Sequence, residues 1–278
     1  MIYLSNGEEG SAMNIIVCVK QVLDPELPPA AFKIDPEAKR AIPPRDRAPV
    51  ISPFDENAVE AALRIKDVQG GKITAVCLGR DLDMAVVKKP LSMGADDLIL
   101  LQDDAFDGGD SFATAYALAT AIRKIGEFDL ILCGRQAADW DAGQVGAGIA
   151  ELLGIPSVTP AQKIEIKDGK AVVERVVADG YEVIEVSLPA LITVSNELGE
   201  PRYPTMKGIM VAKKKPVTVW TVQDLGLDSS MIGASAAKNK MLKLFIPVRE
   251  GKCEFVAGET EEEFGASLAV RLREVKLL

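Results

Sequence analysis

The chain has 278 residues, enough for one or two domains, and its 48% apolar content can build a sizeable core. A net charge of −9 with 5% aromatic residues argues against nucleic-acid binding, and no apolar run reaches the roughly 18 residues that a membrane span needs. Histidine is absent, which excludes Ser–His and Cys–His nucleophilic pairs, histidine metal ligands and a histidine general base.

Residues 1–12 are polar and irregular, without the basic and apolar regions of a signal peptide, and are expected to be a disordered extension. From Met13 onward short apolar runs alternate with helical patterns. Strands are expected at Ile15–Val19, Ile73–Leu78, Leu98–Leu101 and Leu130–Cys133, apolar without alternation and therefore covered on both faces. Helices are expected at Asn57–Lys66, at Leu82–Met93 with an interruption at Pro90, from Asp110 or Ser111 to Ile125, and from about Gly143. This order means an open, mostly parallel α/β sheet with flanking helices. The proline-rich stretch between Asp24 and Pro53 interrupts it and reads as a flap or edge hairpin around Lys33–Asp35.

After Pro156 the pattern changes to hairpin strands at Lys163–Ile166, Ala171–Val177 and Val183–Leu188, with turns at Asp168-Gly169 and Asp179-Gly180, then a buried strand at Ala190–Val194. One more strand is expected beyond Lys215, then a linker rich in Gly, Ser and Ala near Leu225–Ala237 and a helix at Glu261–Lys276. The expected domains are 13–222, an α/β nucleotide-binding domain, and 223–278, a thin arm that packs on a partner chain. Cys18, Cys77, Cys133 and Cys253 lack paired spacing and read as buried free thiols of a reducing, cytoplasmic setting.

Open parallel sheets bind ligands at the carboxyl ends of their strands. Three such ends carry polar or small residues: Cys18-Val19-Lys20, Leu78-Gly79-Arg80 and the loop Gly134-Arg135-Gln136-Ala137-Ala138-Asp139-Trp140-Asp141-Ala142-Gly143-Gln144-Val145. The loop leaves a buried strand and enters a helix, whose free N–H groups and partial positive charge suit a phosphate. Gly143 lets a ligand approach the backbone, and Arg135 would offset a pyrophosphate, with Lys20 and Arg80 as weaker candidates. The Gly-x-Gly-x-x-Gly and Walker patterns are both absent. Asp139 and Asp141 read as turn and capping residues or as paired acids for Mg²⁺, and Trp140 as a lid or a partly buried anchor. A second exposed loop, 196–215, contains Leu198, Ile209 and Met210, and is either a docking loop or folded onto its own domain.

At these loops the chain resembles the β subunit of electron transfer flavoproteins. The resemblance runs from about Met13 to Trp220, more loosely through the arm. Its motifs are Val17-Cys18-Val19-Lys20-Gln21-Val22, Ser52-Pro53-Phe54-Asp55-Glu56-Asn57-Ala58-Val59-Glu60, the Gly134–Gly146 loop, and Glu200-Pro201-Arg202-Tyr203 followed by Lys213-Lys214-Lys215. Ala178, beside Asp179, stands where the family pattern has an acid. The resemblance implies a fold like the adenine nucleotide alpha hydrolases and a heterodimer whose α subunit holds the electron-transferring FAD. It places the β subunit's own nucleotide at Cys18, Ser52, Pro53, Phe54, Asp55, Leu78 and Gly134 to Val145. It implies no catalytic side chain and no metal, since a flavin carries the redox chemistry. Leu198, with Glu200, Pro201, Arg202 and Tyr203, corresponds to the loop that docks an acyl-CoA dehydrogenase-type flavoenzyme.

Ordinary members hold AMP at the β site, whereas electron-bifurcating members hold a second FAD reduced by NADH, with ferredoxin or a quinone reductase as further partners. The run from Ala105 to Thr114, together with Gly134-Arg135-Gln136 and Gln144-Val145-Gly146, is similar to the bifurcating type, so FAD is expected in this subunit. Trp140 in place of a small glycine, Ala142 without a hydroxyl, and Pro53-Phe54 lie closer to the AMP alternative. A nucleotide-binding regulatory module is the alternative from another class, and a hydrolase or nucleotidyl transferase built on Asp139 and Asp141 a third.

Overall fold

The computed structural model describes residues 12–247, 251 and 253–278. The expected N-terminal extension lies outside them, apart from Ala12. One compact unit ends at Leu242, and Lys243–Leu278 form a second.

The first unit is built on strands β1 (Met13–Val19), β2 (Gln21–Val22), β3 (Lys33–Asp35), β4 (Arg40–Ile42) and β5 (Val50–Ile51), followed by helix α1 (Pro53–Gln69) and β6 (Gly71–Leu78). Next come α2 (Met84–Val87), α3 (Lys89–Met93), β7 (Asp97–Leu101), α4 (Ser111–Ile125), β8 (Leu130–Gly134) and α5 (Val145–Leu153). Strands β9 (Ser157–Lys167), β10 (Lys170–Val177), β11 (Gly180–Ser187) and β12 (Ala190–Val194) lead to α6 (Met206–Lys214), β13 (Thr218–Trp220), α7 (Val222–Leu225) and α8 (Gly233–Ala236). The second unit contains α9 (Glu261–Glu274).

A nine-stranded sheet has the order β11-β10-β9-β12-β8-β1-β6-β7-β13. Pairing is parallel from β9 across to β13, and antiparallel in the β9-β10-β11 meander. The expected open α/β sheet with hairpin strands is therefore the fold. Side-chain alternation sorts β1 into two layers. Ile15, Val17 and Val19 pack toward α1, α3 and α6, whereas Ile16 and Cys18 pack toward α4 and α5.

Helix α1 begins earlier than the apolar spacing predicts, because Pro53 suits the first turn and Asp55 and Glu56 favour its positive end. Gly70 (φ 73°) ends it. The expected single helix at Leu82–Met93 is two: the turn breaks at Lys88, and Pro90 falls in the first turn of α3, where its missing N–H costs nothing. The proline-rich stretch forms the β3–β4 hairpin and the β2–β5 pair.

The expected linker near Leu225–Ala237 is a packed segment. Leu225, Leu227, Ile232 and Ala236 are buried in the layer that contains α4, and Asp110 accepts the N–H groups of Lys238 and Asn239 at 2.7 and 2.9 Å. Small residues there permit close packing rather than flexibility: a Cβ on Gly233 would lie 2.2 Å from the Ala105 carbonyl oxygen. Cys18, Cys77 and Cys133 are buried as expected, but Cys253 is exposed. Burial pushes the Cys77 thiol up to about 12. A hydrogen bond with Cys18 and burial both raise Cys133.

Candidate functional site

The chain runs outward from β1 to β6 and β7, then returns across β1 to β8 and β12. The strand order therefore reverses between β1 and β8, and the carboxyl ends of these two strands open a crevice at the switch point. Cys18 pairs in register with Cys133 at its floor, and Val19 pairs with Cys77, one residue before Leu78.

Asp55, in the first turn of α1, spans the crevice. Its two carboxylate oxygens accept the N–H of Lys20 at 2.8 Å and that of Gly134 at 3.0 Å. A buried β1 end and a buried β8 end are thus closed by a single side chain that is 6% exposed. Burial raises its carboxyl to about 7, against the lowering effect of the two N–H donors and the Lys20 charge. Gly134 is required by this close approach, since a Cβ there would stand 2.5 Å from Asp55 Oδ1 and 2.7 Å from the Phe54 carbonyl carbon.

The 135–144 loop folds over this bridge. Ala138 N–H donates to Ser52 Oγ at 3.3 Å, and Arg135 N–H donates to the Val194 carbonyl at 2.8 Å. A turn follows, in which the N–H of Asp141 donates to the Ala137 carbonyl and Gln136 Nε2 donates to Asp141 Oδ1 at 2.8 Å. Asp141 (φ 50°) and Gly143 (φ 63°) take left-handed conformations that carry the chain into α5. Gly146 and Gly148 let that helix lie close to the sheet and to α4: added Cβ atoms would fall 2.8 Å from Thr193 Cγ2 and 2.9 Å from Ala115 Cβ.

The charged residues divide sharply. Lys20 Nζ pairs with Asp139 at 2.7 Å, and Arg80 pairs with Asp81 and Asp107. Both weaker phosphate candidates are therefore neutralised within the chain. Arg135 has no ion-pair partner among the described residues; its guanidinium lies 5.1 Å from the Phe54 ring centroid and 3.5 Å from Ser195 Oγ. The Gln144 side chain leaves the N-terminus of α5 uncapped, whereas Asp110 caps α4 and Thr205 caps α6. A hydrogen bond from Ser195 and the charge of Arg135 help hold the Glu197 carboxyl below its ordinary value. A cation without an ion pair among the described residues and an uncapped helix N-terminus in one loop still suit an anionic ligand, so the donor set fits a nucleotide phosphate.

Asp139 and Asp141 are held by Lys20 and Gln136, and no group of three or more potential metal ligands occurs among the described residues. Trp140 is 57% exposed, free on one side of the loop for either a ligand or a partner surface. Pro53, Ala142, Gly143 and Gln144 are exposed; Phe54, Leu78, Gly134 and Val145 are half-buried.

The 196–203 segment lies along α1, in contact with side chains from Asn57 to Asp67. Leu198 is half-buried and packs on the core layer of α1, whereas Tyr203 is 91% and Met206 78% exposed. Glu200 is exposed and Pro201 half-buried. Arg202 is half-exposed and pairs with Glu60 and Asp67 on α1, each at 2.8 Å. The bridging role of Asp55 and the part played by Glu60 escape sequence reasoning, because their partners lie 35 to 142 residues away. Acidic residues spaced along an otherwise apolar helix face were the available signal.

A family model described as the electron transfer flavoprotein domain matches residues 45–225. The chain is 41% identical over 268 residues to the caffeyl-CoA reductase–Etf complex subunit CarD of Acetobacterium woodii, covering 96% of this chain and 100% of that protein. It is 43% identical over 252 residues to the electron transfer flavoprotein subunit beta of Thermoanaerobacterium thermosaccharolyticum, covering 90% and 94%. The subunit beta of Megasphaera elsdenii is 43% identical over 243 residues, covering 84% and 88%. With a family model over most of the chain and relatives matched along nearly their whole length, the chain belongs to the electron transfer flavoprotein family as a β subunit.

Proposed function

We propose that this β subunit pairs with an electron transfer flavoprotein α subunit and carries an FAD of its own in the β1–β8 crevice. The complex moves electrons between an acyl-CoA dehydrogenase-type flavoenzyme and a second redox partner, with NADH as donor and ferredoxin or a quinone reductase as further partners. The observation that carries this reading is the uncapped N-terminus of α5 at the end of the loop that holds Arg135, a residue without an ion pair among the described residues. Arg135 and the N–H groups around Gly143 to Val145 hold the phosphates; Cys18, Ser52 to Asp55 and Leu78 line the remaining walls. When bound, the flavin supplies reversible electron acceptance, while these residues fix its position and balance its charge. The likeness to a subunit of a CoA-reductase complex supports a partner acting on an acyl-CoA.

Leu198 and Tyr203 present the docking surface for the dehydrogenase, and the Lys243–Leu278 unit packs on the α subunit. Its exposed Phe245, Phe255, Phe264, Leu268 and Val270 supply the apolar contact.

A second reading is structural AMP, supported by Pro53-Phe54, which lie closer to the AMP-binding pattern, with Phe54 held under Arg135. Nucleotide released by acid from the purified αβ complex decides between them. Two FAD per heterodimer are expected; one FAD with one AMP would replace the FAD assignment, and a single FAD with no further nucleotide would reject the crevice as a nucleotide site.

A further inference from the structure

Glu60 lies in the middle of α1, is 4% exposed, and takes no part in the crevice. Its Oε2 accepts the backbone N–H of Arg202 at 3.1 Å and Arg202 Nε at 2.8 Å; its Oε1 accepts Arg202 Nη2 at 3.3 Å and Arg64 Nε at 2.9 Å. Burial would raise this carboxyl, but the Arg202 and Arg64 hydrogen bonds outweigh it and hold the group below its ordinary value. Two further α1 side chains grip the same loop. Asn57 Nδ2 donates to the Gly199 carbonyl at 2.8 Å, and Arg64 Nη1 donates to the Leu198 carbonyl at 2.9 Å. Asn57, Glu60 and Arg64 follow the three- and four-residue spacing of one helix face.

The loop has little else to define its shape. Residues 200–204 make no backbone–backbone hydrogen bonds among the described residues, and Pro201 and Pro204 have no N–H to donate. Tyr203 follows Arg202 directly, so the direction in which it leaves the surface depends on the Arg202 anchor. A loop ordered before its partner arrives avoids the entropy cost of ordering on contact.

We propose that Glu60 is a positioning residue for partner docking: through Arg202 it holds the 198–203 loop against α1 in a shape ready for the dehydrogenase. The proposal rests on the docking role of this loop. It also makes α1 a common support, since the first turn of the same helix carries Asp55 at the nucleotide crevice.

The test uses the purified αβ complex with Glu60→Gln and, separately, Arg202→Lys, which loses the two-pronged guanidinium contact. Hydrogen exchange of the 196–205 peptide is expected to quicken about tenfold, and the KM for an acyl-CoA dehydrogenase to rise about tenfold, with kcat and nucleotide content held within about twofold. Unchanged exchange would overturn the proposal, and so would faster exchange with an unchanged KM. A fall in kcat and nucleotide content in step with KM would also overturn it, showing a general structural role. If Glu60→Gln does not assemble, Arg202→Lys, at a half-exposed position, carries the same measurement. Leu198→Ala separates the underlying reading: an unchanged KM there would remove the docking role, while exchange in the Glu60 and Arg202 variants still decides whether α1 positions the loop.

Discussion

Asp55 shows how one side chain can close a sheet at its switch point. Both of its oxygens accept N–H groups from strand ends, so Asp55→Ala would remove two part-buried hydrogen bonds at a cost of about 1 kcal/mol each. Its titration gives a signed expectation. The carboxyl ionises at about 7 in the folded chain against 3.8 in its ordinary state, so the folded state binds more protons between these values. The stability contributed by protonated Asp55 is complete below about pH 3.8 and lost as the pH rises to about 7. Urea midpoints across that window should therefore fall more steeply for the natural chain than for Asp55→Asn; parallel profiles would show that Asp55 does not titrate there. The Asp55 motif is legible in the sequence, but its bridge is not, because both donors are backbone groups brought in by other strands.

At the scale of elements, the segment from α7 to α8 separates composition from packing. Gly, Ser and Ala suit a flexible linker by composition, yet the same small residues let Leu227 and Ile232 reach the layer beneath α4. Ile232 is 3% exposed, so Ile232→Ala should cost about 2–5 kcal/mol in equilibrium unfolding. A loss below about 0.5 kcal/mol, the range of unstructured surface sites, would restore the linker reading. Helix α5 makes the complementary point. Its glycines were legible as a phosphate-loop signal, and the structure adds a packing reason for Gly146 and Gly148 through their approach to Thr193 and Ala115.

For the whole molecule, two compact units imply separable roles. In the second, Arg271 pairs with Glu254 and Glu274, while large apolar side chains such as Phe255 (92% exposed) face solvent. A chain ending at Leu242 should keep its far-ultraviolet spectrum per residue in the α/β unit and its unfolding transition, but lose at least about tenfold in affinity for the α subunit, as removal of a hydrophobic contact surface demands. Sedimentation or titration calorimetry of the truncated chain checks this; full-strength pairing would show that the arm does not carry the subunit interface. No helix among the described residues is long and apolar enough to cross a membrane.

By itself the sequence determined the class of fold and which strand ends and loop to expect at the switch point. Apolar strand runs, helical spacing and a glycine-rich strand-to-helix loop are local patterns, and local patterns survive without knowledge of what packs where. It also determined that no histidine chemistry operates. Only the tertiary structure decided which cations are paired: Asp139 reaches Lys20 from 119 residues away, and Asp107 joins the adjacent Asp81 at Arg80. Only the structure pairs Arg202 with α1, because Glu60 and Asp67 stand within reach. Such outcomes depend on distances between residues far apart in sequence, and the compact packing of the sheet and its helices sets those distances.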